Sequence, residues 1–308
     1  VPLDPQIEAL LPLLSGGPPL GSGTPEAARA GMRLVTVDLR DPAHLAPVLS
    51  TEDVTYPAAE GPRAARIYRP DAAGPVPTIL FIHGGGYVIG DIDTHDDHAR
   101  MLCNRVGAVV ISIDYRLAPE FPFPAGYLDS IAALQHVLAT IEELGGDPTR
   151  VAVAGDSAGG NLSAGVAIAA RDEGLPLKAQ LLIYPGTDFT ESDAHTSRTE
   201  NAEGYFLTEI DMRWFGEHYA ADPADHRASV LHHPDLTGLA PAIVVTAQYD
   251  PLRDEGEAYA AALEEAGVPV QLTRYPGLIH GFFGLGPFSA AAQQAVEQIC
   301  ADLKELLG

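Results

Sequence analysis

The segment Gly155-Asp156-Ser157-Ala158-Gly159-Gly160 follows directly on the apolar run Val151-Ala152-Val153-Ala154 and leads into a small-residue stretch, Asn161 to Ala170. That order predicts a strand, a sharp turn with a serine at its apex, and a helix. Glycines on both sides of the serine permit backbone conformations and close approaches that a Cβ forbids. In this setting G-x-S-x-G is the signature of a nucleophile elbow. The pattern places a demand on the rest of the chain. A serine hydroxyl is a weak nucleophile near neutral pH. A base, an orienting carboxylate and donors for a developing oxyanion must therefore come from elsewhere.

The flanking sequence predicts an α/β chain. Thr78 to Ile82, Ala108 to Ile113, 150–154, 179–184 and 242–247 are short, nearly continuous apolar runs, as expected for strands buried on both faces. Between and after them, 94–106, 126–144, 254–266 and 289–307 have helical character, and 269–275 reads as a last strand. Alternation of this kind implies a mostly parallel central sheet with helices on both faces. Asp53 to Ala58 and Ala64 to Tyr68, separated by Glu60-Gly61-Pro62, predict an antiparallel edge. Residues 1–50 are helical in character, with Thr24 as N-cap and Pro25 at the first helical position. Ser15 to Ser22 reads as a flexible connection. Residues 187–238 contain helical pieces and no convincing buried strand. Such a long insertion should fold over the strand ends, where ligands bind in sheets of this class.

The base is sought among 11 histidines. His280, in Gly277-Leu278-Ile279-His280-Gly281-Phe282, follows the last strand and is flanked by glycine. His136 lies inside a helix, His95 and His98 on an acidic loop, and His232 and His233 in a polar segment before Pro234. Asp250 stands at the end of strand 242–247 and is the expected orienting carboxylate. Asp254 and Glu255 read as first-turn acids that complement a helix dipole. The order Ser157, Asp250, His280 is the one this type of elbow requires. For the oxyanion, His83-Gly84-Gly85-Gly86 follows the first buried strand. The backbone N–H groups of Gly84, Gly85 and Ala158 are the expected donors.

Together these segments resemble the bacterial esterases related to hormone-sensitive lipase, within the α/β-hydrolase fold. The resemblance rests on His83 to Gly86, Asp114-Tyr115-Arg116-Leu117-Ala118-Pro119-Glu120, Gly155 to Gly160, Asp250 to Gly256 and His280-Gly281-Phe282. It implies a carboxylesterase that acts on short- to medium-chain acyl esters through an acyl-enzyme. It implies no cofactor, and a helical cap built from 1–45 and 187–238 over a catalytic domain of 46–186 and 239–308. It also implies that His83, with Gly86 and Asp156, supports the site and does no chemistry. The family often pairs through the sheet edge and terminal helix, which leaves a homodimer as an option. Two readings from other classes stay open: a small-ligand-binding protein on the same fold, and an amidase or acyltransferase, which would share the acyl-enzyme.

Charge narrows the partners. The formal charge is −24, from 42 acidic and 18 basic residues, and Lys178 and Lys304 are the only lysines. Such a surface disfavours nucleic acid and anionic membranes. A halophilic host or a GC-rich genome would each deplete lysine. No apolar stretch is long enough to predict a transmembrane helix, and residues 5–14 read as an amphipathic helix and not as a signal peptide, so the cytoplasm is the expected location. Cys103 and Cys300 are expected as buried thiols. Asp91-Ile92-Asp93-Thr94-His95-Asp96-Asp97-His98 invites a metal reading. The preferred one is that Asp93 or Thr94 caps the following helix and the acids favour its positive end.

Overall fold

The computed structural model describes residues 1–14, 23–190 and 193–308. Eight strands form one sheet: β1 (Ser50–Tyr56), β2 (Arg63–Arg69), β3 (Val76–Ile82), β4 (Val109–Ile113), β5 (Gly146–Asp156), β6 (Ala179–Ile183), β7 (Ala242–Tyr249) and β8 (Val270–Ile279). Their order is β1-β2-β4-β3-β5-β6-β7-β8. The pairs β1–β2 and β2–β4 are antiparallel. Every later pairing is parallel. The sheet is the mostly parallel one the alternation implied, with the charged hairpin at one edge.

The side-chain period of 2 divides the core into two layers. On one face Phe81 and Ile79 of β3 and Ala152 and Ala154 of β5 join α3 (Asp96–Leu102) and the terminal helix α9 (Ala290–Leu307). On the other face Leu80, Ile82, Val151 and Val153 meet α4 (Ala125–Ala139) and α5 (Ala158–Glu173). Covering both faces is why β3 reads as an uninterrupted apolar run. Cys103 and Cys300 both lie in the α9 layer as free thiols, and burial raises each well above the usual thiol range, to about 12.

Several boundaries differ from the sequence reading. Helix α4 stops at Ala139, before the expected 144. The Thr140 hydroxyl donates back to the His136 carbonyl, and the chain leaves in turns that end at Gly145, φ 80°. The helix expected over 94–106 starts only at Asp96 and ends in a π-turn, Cys103–Gly107. Neither Asp93 nor Thr94 caps it. Thr94 instead exchanges hydrogen bonds with Asp91 in the preceding turn.

The N-terminal region supplies α1 (Pro5–Leu14) and α2 (Pro25–Arg33), a π-turn at Leu34–Asp38 and a 3-10 turn at Pro42–His44. Thr24 caps α2 as expected, accepting from Ala27 N. The connection Ser15 to Ser22 falls outside the described residues. Between β6 and β7 the described residues hold α6 (Ser197–Glu200), α7 (Glu209–Tyr219) and a 3-10 turn (Val230–His232), and no strand. Helix α8 (Arg253–Glu265) joins β7 to β8. No helix among the described residues is long and apolar enough to cross a membrane.

Phe81 is fully buried at the sheet centre, so Phe81→Ala should destabilise the protein by about 3–5 kcal/mol. Denaturant unfolding checks this; a loss below about 1 kcal/mol would contradict the packing described.

Candidate active site

Ser157 occupies the junction of β5 and α5 at φ 55° and ψ −119°. The left-handed φ is unfavourable for a residue with a Cβ, so the surroundings must impose it. The Ser157 N–H donates to the Ile183 carbonyl of β6 at 2.8 Å. A Cβ on Gly155 would lie 2.2 Å from the Gly159 carbonyl oxygen, and one on Gly159 only 1.9 Å from that of Ile82. The helix therefore rises directly off the strand only because both flanking positions lack a side chain.

The loops after β7 and β8 bring the other two predicted residues to this serine. His280 Nε2 lies 2.9 Å from Ser157 Oγ, and His280 Nδ1 lies 2.7 Å from Asp250 Oδ2. Asp250 is fully buried, and its other oxygen accepts from Leu252 N at 2.8 Å. A carboxylate on Nδ1 selects the tautomer that carries its proton there, which leaves Nε2 as the acceptor for the serine hydroxyl. The Tyr184 ring packs against the imidazole at 4.7 Å between centroids.

The glycine loop requires a correction. The Gly84 N–H donates to Asp156 Oδ1 at 2.9 Å, so it is committed and cannot serve as an oxyanion donor. The N–H groups of Gly85, Gly86 and Ala158 have no acceptor among the described residues. Gly85 and Gly86 have φ of 107° and 57°. A Cβ on Gly84 would lie 2.4 Å from Asp156 Oδ2. Asp156 thus ties the turn before the serine to the loop facing it.

His83 sits beneath this loop, fully buried. Its ring stacks on Tyr115 with centroids 4.5 Å apart, and Nδ1 lies 2.7 Å from the Gly84 carbonyl, to which it donates. The Tyr115 hydroxyl donates to the His83 carbonyl at 3.0 Å. Burial, with the neighbouring His95 adding to it, pushes the imidazole down to about 4, so it is neutral at pH 7.

The acidic loop is neutralised by arginines. Arg33 of α2 pairs with Asp91 and, at 3.1 Å, with Asp93. Arg66 reaches Asp93 at 3.0 Å and Asp96 at 3.5 Å, and Arg100 reaches Asp96 at 2.7 Å. The residues that come closest to a metal set are instead His95, His98 and Asp156. His95 Nε2 and Asp156 Oδ2 are 3.8 Å apart, wider than the roughly 3.3 Å between ligands of a tetrahedral zinc with bonds near 2 Å. His98 Nδ1 is engaged by Asp97 at 2.7 Å.

Two contacts escaped sequence reasoning. Glu255 lies in the first turn of α8 as expected, and it is also buried. It accepts from Thr187 N at 2.7 Å and pairs with Arg198 at 2.7 Å, which fixes the start of the 187–238 insertion. Phe215 of α7 lies against Gly86, where a Cβ would meet its ring at 2.2 Å. Of the other histidines, His195 and His232 both engage Asp188, at 2.9 and 3.1 Å. Among the described residues, only His280 is within hydrogen-bonding distance of the Ser157 hydroxyl.

Comparison with known proteins identifies the family. The profile of the family described as alpha/beta hydrolase fold matches residues 79–284. The chain belongs to that family. This α/β hydrolase is 46% identical over 280 residues to the carboxylic ester hydrolase LipN of Mycobacterium tuberculosis, covering 86% of this chain and 73% of the relative. It is 42% identical over 291 residues to the carboxylesterase NlhH of the same species, covering 92% and 89%. Among solved structures, the hyperthermophilic esterase from the archaeon Pyrobaculum calidifontis superposes with a TM-score of 0.93 at 41% identity, covering 99% of each chain. A thermostable esterase from Pseudomonas putida ECU1011 gives a TM-score of 0.93 at 37% identity, covering 100% of this hydrolase and 98% of that chain. The sequence resemblance to esterases of the hormone-sensitive-lipase type is in line with these relatives.

The buried neutral His83 makes stability depend on pH. Its folded value, about 4, lies below the ordinary 6.5. Between the two the unfolded chain binds more protons, so stability is lost as pH falls through that window and levels off below it. The unfolding free energy of His83→Gln should therefore change less steeply from pH 6.5 to 4 than that of the wild type. Equal slopes would mean that His83 takes up its proton in the folded state as readily as in the unfolded chain.

Proposed function

We propose that Ser157, His280 and Asp250 are the catalytic triad of a serine carboxylesterase acting on short- to medium-chain acyl esters. The observation that carries this reading is the unbroken hydrogen-bonded line from Ser157 Oγ through both imidazole nitrogens to Asp250. His280 Nε2 accepts the serine proton as Oγ attacks the ester carbonyl carbon. Asp250 stabilises the resulting imidazolium. The carbonyl oxygen becomes an oxyanion held by the N–H groups of Gly85, Gly86 and Ala158. The C–O bond to the alcohol then breaks, the imidazolium protonates the departing oxygen, and the acyl group stays on Ser157. Water, losing a proton to His280, attacks the acyl carbon. Collapse returns that proton to Oγ and releases the acid.

The remaining parts of the reading concern shape. Residues 1–45 and 187–238 form the cap, and 46–186 with 239–308 the catalytic domain. The rings of Phe215 and Phe206, lying against Gly86 and Gly281, support a restricted pocket. An ethyl acetate hydrolase of Pseudomonas putida is 38% identical over 250 residues, covering 79% of this chain and 78% of that relative. A binding protein on this fold has no use for a histidine held at 2.9 Å from a strained serine, which favours hydrolysis over ligand storage.

Ser157→Ala should lower kcat on p-nitrophenyl butyrate by more than about 10⁴-fold while the protein stays folded; retained turnover would remove the serine from the mechanism. Across a p-nitrophenyl series from acetate to palmitate, kcat/KM should peak at short to medium chains, whereas a maximum at palmitate would mark a lipase.

A further inference from the structure

The oxyanion loop poses a problem of restraint. Gly85, Gly86 and Tyr87 all lie at positive φ, 107°, 57° and 65°. The last is unfavourable for a residue with a large side chain. Two donors of this loop must stay unpaired to receive the reacting oxygen, so the loop cannot fix Gly85 and Gly86 by hydrogen bonds from their own N–H groups. Its hydrogen bonds use other groups: Gly84 N to Asp156, Val88 N and Ile89 N to the Gly85 carbonyl at 3.1 and 2.9 Å, and Ala118 N to the Tyr87 carbonyl at 2.9 Å.

Helix α7 sets two rings against the middle of the loop. The Phe215 ring lies directly on Gly86. The Tyr219 ring stacks on Tyr87, with centroids 3.7 Å apart and planes within 8°. Phe215 and Tyr219 are four residues apart and so share one face of the helix. That face is itself anchored at both ends. Thr208 and Asp211 form a capping box at the start of α7. At its end the Tyr219 carbonyl accepts from Phe123 N at 2.9 Å. Phe189 leans on both stacked rings, at 5.9 and 5.7 Å. The Tyr219 hydroxyl is buried and has no partner among the described residues, so it is the ring face that is used.

We propose that Phe215 and Tyr219 are positioning residues that hold the oxyanion loop in its donor conformation. Helix α7 thereby contributes to the chemical step through Gly86 and Tyr87. The proposal rests on the reading of Gly85, Gly86 and Ala158 as oxyanion donors. It separates α7 from an ordinary pocket wall. A wall changes substrate affinity, whereas a loop support changes the stabilisation of the transition state and leaves the ground state alone.

The test compares Tyr219→Phe, Tyr219→Leu and Phe215→Leu with the wild type. It measures p-nitrophenyl butyrate kinetics and the inhibition constant of an alkyl trifluoromethyl ketone, whose serine adduct places an oxyanion in the hole. Tyr219→Phe keeps the ring and should stay within about 2-fold of the wild type. Each leucine variant should lose about 10- to 100-fold in kcat, change KM by less than about 3-fold, and bind the ketone more weakly by a similar factor to its loss in kcat/KM. Unchanged kcat with raised KM, or unchanged ketone affinity, would overturn the proposal. If Tyr219 acts through Tyr87, the double variant Tyr87→Leu/Tyr219→Leu should lose no more than the worse single variant. Losses that multiply would show independent roles and also overturn it. Thermal melting confirms folding, and methionine at the same position replaces any leucine variant that does not fold. Ser157→Ala is run alongside: if it still hydrolyses the ester, the failure lies in the reading of the active site and not in α7.

Discussion

The turn at Ser157 is held from outside itself, and the site is arranged around that fact. A serine at φ 55° persists here because its N–H is fixed to β6 and because two missing side chains let α5 start against β3. Fully buried strands on either side supply the rigidity that a strained residue needs. The glycine segment follows β3, and Asp250 and His280 follow β7 and β8 of the same sheet. One sheet therefore sets the spacing of groups that lie far apart in sequence, and every distance in the proposed mechanism inherits its precision from the packing of β3 and β5 to β8.

A second layer of contacts acts on the loops. Asp156 takes the Gly84 N–H and His83 donates to the Gly84 carbonyl, so the first glycine of the loop is fixed through both its polar groups. That commitment leaves the next two glycines to face a ligand. Arg33 and Arg66 join α2 and the edge hairpin to the acidic loop. Arg198 and Glu255 do the same for the 187–238 insertion, and losing Arg198 would leave the buried Glu255 without its cation. In a chain with so few lysines, arginine forms nearly all of these joints, and its planar fork suits such carboxylate pairs.

The sequence was most legible where a residue stood at the end of a buried strand. Ser157 and Asp250 each follow an apolar run and His280 follows the last strand, and all three sit among glycines or a proline, so strand order and turn chemistry together pointed to one end of the sheet. The choice among Gly84, Gly85 and Gly86 was not legible, because three identical residues differ only in φ and in which one meets Asp156. Glu255 stands in the first turn of its helix as the sequence implies, but its contact with the insertion was hidden for a related reason. An acid there looks the same in sequence whether it faces water or the Thr187 backbone. The end of α4 was missed because Thr140 to Leu144 keeps helical composition while its backbone turns away.

The most direct measurement is to label the protein with a p-nitrophenyl phosphonate ester and locate the adduct by peptide mass spectrometry. The account predicts one equivalent on Ser157, release of one equivalent of p-nitrophenol, and loss of esterase activity in proportion to labelling. An adduct on any other residue, or full activity in stoichiometrically labelled protein, would contradict it.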